Sequence, residues 1–101
     1  MAYDSKFKKE EIDHLFEAIL SLETVEECYR FFEDACTVNE MNAMAQRLEV
    51  AKLLSQKKTY SEIEEITKAS TATISRINKC LTYGSGGYKI VLDRIAEKEK
   101  K

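Results

Sequence analysis

Thr71, Ala72, Ser75, Arg76 and Lys79 fall on one side of a helical projection at 100° per residue. That side carries small groups, hydroxyls and two cations, and no carboxylate. Such a set suits contact with double-stranded DNA. Arginine and lysine reach phosphate oxygens or the guanine edge, and hydroxyls bond either kind of acceptor. Small side chains let the helix come close to the bases. The opposite side carries Ile74, Ile77 and Leu81, with Cys80 at its margin, so a helix from Thr71 to Leu81 is predicted with one face anchored in a core. Ser70 stands before it as an N-cap type.

A helix that reads DNA needs a partner to hold it. Thr59 and Glu62 form a T-x-x-E capping box, predicting a short helix from Tyr60 to Thr67 with Ile63 and Ile66 inward. Lys68, Ala69 and Ser70 then form the turn. Two short helices joined in this way make a helix-turn-helix, here over about residues 60–81, in which the first helix crosses the phosphate backbone and the second enters the major groove. The same pair can also serve packing alone. The acid-free face of the second helix favours DNA readout, because an ordinary solvated face mixes in glutamate, as the first helix does with Glu62, Glu64 and Glu65. Lys68 sits where glycine is common, since positive φ is easy for glycine. Either Lys68 takes a strain of roughly 1 kcal/mol or the turn differs in detail.

The remaining chain supplies a helical frame. It contains no proline, its three glycines are confined to positions 84–87, and its apolar residues recur at helical spacing, which predicts an all-α fold of about six helices. Ile12, Leu15, Phe16, Ile19 and Leu20 form one stripe. Thr24 and Glu27 open a second helix at Val25, whose stripe is Val25, Cys28, Phe32 and Ala35, flanked by Tyr29, Phe31 and Cys36. Thr37 and Glu40 open a longer helix from Val38 to Ser55. Its apolar set of Met41, Met44, Ala45, Leu48 and Ala51 is widened by Val50, Leu53 and Leu54. Burial on more than one side is therefore expected, as in a central or inter-subunit helix. Gly84-Ser85-Gly86-Gly87 reads as a connector or helix cap before a final helix through Ile90, Leu92 and Ile95. One domain spanning residues 1–101 is expected, with fraying at 1–5 and 97–101.

Composition narrows the function further. Net charge is −2, but it is unevenly spread: −7 over residues 1–45, +4 over 46–89 and +1 over 90–101. Polyanion binding depends on the local field, and the helix-turn-helix lies in the basic half. No apolar run approaches the roughly 20 residues that span a bilayer and no signal-type segment is seen, so a cytoplasmic protein is expected. Cys28, Cys36 and Cys80 lack the paired spacing of a zinc site. Cys28 and Cys36, eight apart, are expected as small hydrophobes on one buried helix face. With His14 the only histidine, no metal site and no cofactor are expected. An enzyme is disfavoured, because neighbouring carboxylates such as Glu64 and Glu65 do not converge on one substrate and the glycine run lacks a phosphate loop's context. A helical protein-interaction module that binds no DNA is the alternative, favoured by the acidic balance and the glutamate-rich first helix.

Thr71-Ala72-Thr73-Ile74-Ser75-Arg76, preceded by Gln46-Arg47-Leu48-Glu49-Val50 and by Cys28-Tyr29-Arg30-Phe31-Phe32, resembles the YerC/YecD branch of the tryptophan repressor superfamily from about residue 6 to 95. A T-[AVI]-[ST]-R fragment alone is shared by many helix-turn-helix proteins; the segments together and in order are specific. The resemblance implies an intertwined all-helical homodimer with two projecting helix-turn-helix units. Their half-sites would lie ~34–36 Å apart on a palindromic operator, as in a repressor. It implies base-facing roles for Thr71, Ala72, Thr73 and Ser75, which with Ser70, Arg76 and Lys79 make up the expected DNA-binding set. Arg76 aligns with an arginine that helps to hold the corepressor carboxylate in the tryptophan repressor, so it serves ligand or DNA. Either Gln46 or Arg47 stands opposite the second corepressor arginine. Ile77 replaces a small residue that leaves room for the indole, so tight tryptophan binding is not expected.

Overall fold

The computed structural model describes residues 3–99. It contains α1 (Glu10–Leu20), α2 (Val25–Ala35), α3 (Val38–Ser55), α4 (Tyr60–Thr67), α5 (Thr71–Tyr83) and α6 (Gly87–Glu99). No strand occurs among the described residues, so the all-α fold of six helices stands as expected. Of the ends expected to fray, residues 97–99 continue α6, and positions 1, 2, 100 and 101 lie outside the described residues.

Local hydrogen bonding sets the boundaries. Thr24 Oγ1 accepts from the Glu27 amide at 3.1 Å, and the Glu27 carboxylate reaches back one residue beyond the cap, accepting from the Glu23 amide at 2.8 Å, a variant of the capping box. Thr59 Oγ1 accepts from the Glu62 amide at 3.1 Å and starts α4. α5 runs two residues past Leu81 and closes where the Gly84 amide donates to the Cys80 carbonyl at 2.9 Å. A Cβ at position 84 would lie 2.5 Å from that carbonyl oxygen, which is why glycine stands there.

Contacts divide the chain into two compact units, one ending at Val38 and the other beginning at Asn39. The second holds the buried core. Val50, Ala51 and Leu53 of α3, Ile63 of α4, Ala69 of the following turn, and Ile74 and Ile77 of α5 are buried together, with Leu54, Leu81, Tyr88 and Leu92 packed against them. Burial in α3 is confined to Val50, Ala51 and Leu53, short of the many-sided burial expected for the whole helix; Val38, Met44 and Ala45 are exposed.

In the first unit neither α1 nor α2 has a buried residue. Phe31 and Phe32 meet edge to face with centroids 5.3 Å apart, a favoured aromatic geometry. The stripe predicted for α1 is present as a face, yet Phe16 is 55% and Leu20 83% exposed, and Val25 at the start of α2 is 73% exposed. The cysteines depart from expectation. Cys28 is exposed, and Cys36 is half-buried in extended backbone just beyond α2. Their spacing of eight does not place them on one helix face, because α2 stops at Ala35 and α3 starts only two residues after Cys36.

Candidate nucleic-acid interface

The candidate interface is built on the turn between α4 and α5. Lys68 adopts the left-handed conformation, with φ 64° and ψ 13°, and its amide donates to the Glu64 carbonyl at 2.8 Å. Lysine thus takes the place that glycine commonly fills, at a backbone cost of roughly 1 kcal/mol. Thr67 then does two things at once. Its hydroxyl donates to the Ile63 carbonyl at 2.8 Å and accepts from the Ala69 amide at 3.1 Å. Ala69 is buried in the core, so the turn is pinned by a side chain as well as by hydrogen bonds.

Ser70 caps α5. Its Oγ accepts from the Thr73 amide at 3.1 Å and donates to Thr73 Oγ1 at 3.1 Å, while its carbonyl accepts from the Ile74 amide at 3.0 Å. The Thr73 hydroxyl hydrogen is not used by this pair and can be donated outward. No acidic residue stands in the first turn of α5, so the positive end of the helix is not neutralised there.

The structure separates the two sides of α5. Ile74 and Ile77 are buried and Leu81 is half-buried. Ser70, Thr71, Ala72, Arg76 and Lys79 are exposed, and Thr73 and Ser75 are half-buried at the edge of the same face. Two hydroxyls, Ser70 and Thr73, share their hydrogen-bonding capacity with the cap. Of Gln46 and Arg47, either one expected opposite the second corepressor arginine, Arg47 is exposed, whereas Gln46 is half-buried and donates from Nε2 to the Thr67 carbonyl at 3.1 Å.

Two features of this frame escape a reading of residues alone. One is the Gln46 bond, which joins positions 21 residues apart. The other is a second left-handed lysine, Lys57, with φ 66°. There the Lys58 amide donates to the Leu53 carbonyl at 3.1 Å and the Lys57 amide to the Leu54 carbonyl at 3.0 Å, closing α3 in a Schellman motif without glycine. Its only signal in the sequence is the position of Lys57-Lys58 immediately before the Thr59 capping box. Among the described residues no group of three or more His, Cys, Asp or Glu side chains is placed to hold a metal ion, and no helix is long and apolar enough to cross a membrane.

The family model of the Trp repressor protein matches residues 10–96, a span that includes the turn and both of its helices. The chain belongs to the Trp repressor family. This is a family of DNA-binding regulators rather than of enzymes. YerC of Bacillus subtilis strain 168, itself uncharacterized, is 55% identical over 94 residues, covering 93% of this chain and 90% of that protein. Two solved structures share the fold. A candidate Trp repressor from Staphylococcus aureus matches with a TM-score of 0.86 and 50% identity, over 90% of this chain and 91% of the other. A TrpR-like protein from Eubacterium eligens ATCC 27750 matches with a TM-score of 0.87 and 52% identity, over 90% and 94% of the two chains. The Trp repressor fold implied by the resemblance is therefore the fold of this chain.

Proposed function

We propose that this protein is a cytoplasmic transcription repressor that binds double-stranded DNA as a homodimer, each protomer presenting α5 to one half of a palindromic operator. The observation that carries the reading is the division of α5. Arg76 and Lys79 stand on an exposed face free of carboxylates, while Ile74 and Ile77 fix the other side of the same helix in the core. Thr71, Ala72, Thr73 and Ser75 are the base-facing group, and Ser70, Arg76 and Lys79 contribute phosphate or base contacts. The basic charge of residues 46–89 brings a favourable local field to this face.

The apolar faces of α1 and α2 support the homodimer. Phe16, Leu20 and Val25 are too exposed for a chain that works alone, and a second copy would supply the missing cover. In this reading residues 1–101 make a single domain completed by the partner. Ile77, buried with the core residues, supports a protein that does not respond to tryptophan. Titration calorimetry with tryptophan is expected to give no saturable micromolar binding; a saturable isotherm would remove this part of the proposal.

Selection of bound sequences from random duplex DNA tests the function directly and is expected to return a palindrome. Lys79→Ala is expected to weaken binding across sequences and to reduce the magnitude of the slope of log affinity against log salt by about 2, one contact being lost from each protomer. If no duplex is bound even at low salt, the helix pair is instead a protein-interaction module.

A further inference from the structure

We infer that Gln46 is a positioning residue for the proposed DNA reader, holding α5 in its reading setting from within the chain so that operator binding needs no small-molecule effector to order the turn. The inference rests on the DNA-reading assignment above.

The last carbonyls of a helix have no partner within it. In α4 the Thr67 carbonyl lies just before the left-handed Lys68, at the point where the chain leaves the helix. Gln46 reaches it from α3, with the Nε2 amide 3.1 Å from the oxygen. From that carbonyl the order continues without a break. Thr67 Oγ1 holds the Ala69 amide, the Ala69 side chain is buried, and Ser70 caps α5. α5 is therefore fixed in two ways. Ile74 and Ile77 hold its inner side to an apolar core that tolerates small rotations and slides, because apolar contact is non-directional. The Gln46 bond is directional and acts at the turn, so it fixes where α5 begins. A carboxamide suits this half-buried place, since it donates without carrying a charge that burial would penalise.

Amide hydrogen exchange on the full-length, dialysed protein tests the positioning without DNA. Gln46→Glu keeps the size but turns an acceptor toward the Thr67 carbonyl; Gln46→Lys keeps a donor. In Gln46→Glu the Ala69 amide is expected to exchange at least about tenfold faster, with the core amide of Ile77 unchanged, and Gln46→Lys, which keeps a donor at the cost of a half-buried charge, is expected to restore part of the protection. The ratio of affinity for the selected operator to affinity for a scrambled duplex should fall about tenfold in Gln46→Glu, the added charge weakening both alike. Unchanged Ala69 exchange in Gln46→Glu would overturn the inference, as would a rise shared by Ala69 and Ile77, which would mark a general loss of stability. Faster Ala69 exchange with an unaltered operator-to-scrambled ratio would also overturn it. If dialysed wild-type protein prefers its operator only after a small-molecule fraction of cell extract is added, effector independence fails. A wild-type chain with no operator preference in any condition would defeat the DNA-reading assignment, a result distinct from the exchange data.

Discussion

Ile74→Ala is expected to lower the free energy of unfolding by about 2–5 kcal/mol, the range for truncating a fully buried branched side chain whose surroundings collapse only partly. Ile74 is completely buried, and with Ile63 and Val50 it is among the largest fully buried side chains. A domain of this size has roughly 5–15 kcal/mol in total, so the loss is a large share of it. The effect should also be felt in function, since Ile74 lies on the inner side of the helix that carries Arg76 and Lys79. Urea denaturation followed by circular dichroism, at one fixed protein concentration, measures it. Ile66→Ala is the matched control: the same side chain at 59% exposure in α4 is expected to cost less than about 1 kcal/mol. Equal losses at the two positions would contradict the core described above.

Phe16→Asp is expected to convert the proposed dimer into a monomer. A two-fold interface contains each residue twice. Each Phe16 is 55% exposed in the single chain, so association can cover about half of its surface, and losing two of them removes roughly 1.5–3 kcal/mol of association free energy, with the two carboxylates raising the cost further. The dissociation constant should therefore rise by at least about one to two powers of ten. Sedimentation equilibrium is expected to give the mass of two chains for the wild type and of one for the variant. The thermal midpoint should rise with protein concentration only in the wild type. A variant that keeps the two-chain mass would show that the α1 face is not where the protomers meet.

The positions of the helices could be read from the residues because their signals are local. Thr24 with Glu27 and Thr59 with Glu62 act within one turn, and the observed helices start where these pairs place them. The sides of α5 were legible for a similar reason: helical periodicity alone puts Ile74, Ile77 and Leu81 together and Arg76 and Lys79 apart from them. The exceptions share a cause, which is that they depend on backbone conformation or on partners distant in the chain. Lys68 is marked by its place in the turn, where glycine is common, but Lys57 is left-handed too, and lysine has no particular preference for that region, so nothing in the residues announces it. The cysteine spacing assumed an unbroken helix, and one extended residue, Cys36, invalidates it. The bond from Gln46 to Thr67 exists only once α3 and the end of α4 have been brought together. The α1 stripe was visible as a stripe, but periodicity says only that a face is apolar, not what covers it.

Thr71, Ala72, Arg76 and Lys79 are exposed, and the caps and core contacts that hold α5 are made by other residues. Exposed substitutions of this kind usually change stability by no more than about 0.5 kcal/mol. These four positions therefore form an exchangeable alphabet on a fixed support. If α5 reads DNA as proposed, drift or design can retarget the protein to new operators by rewriting them, while the fold itself exerts little selection against the attempt.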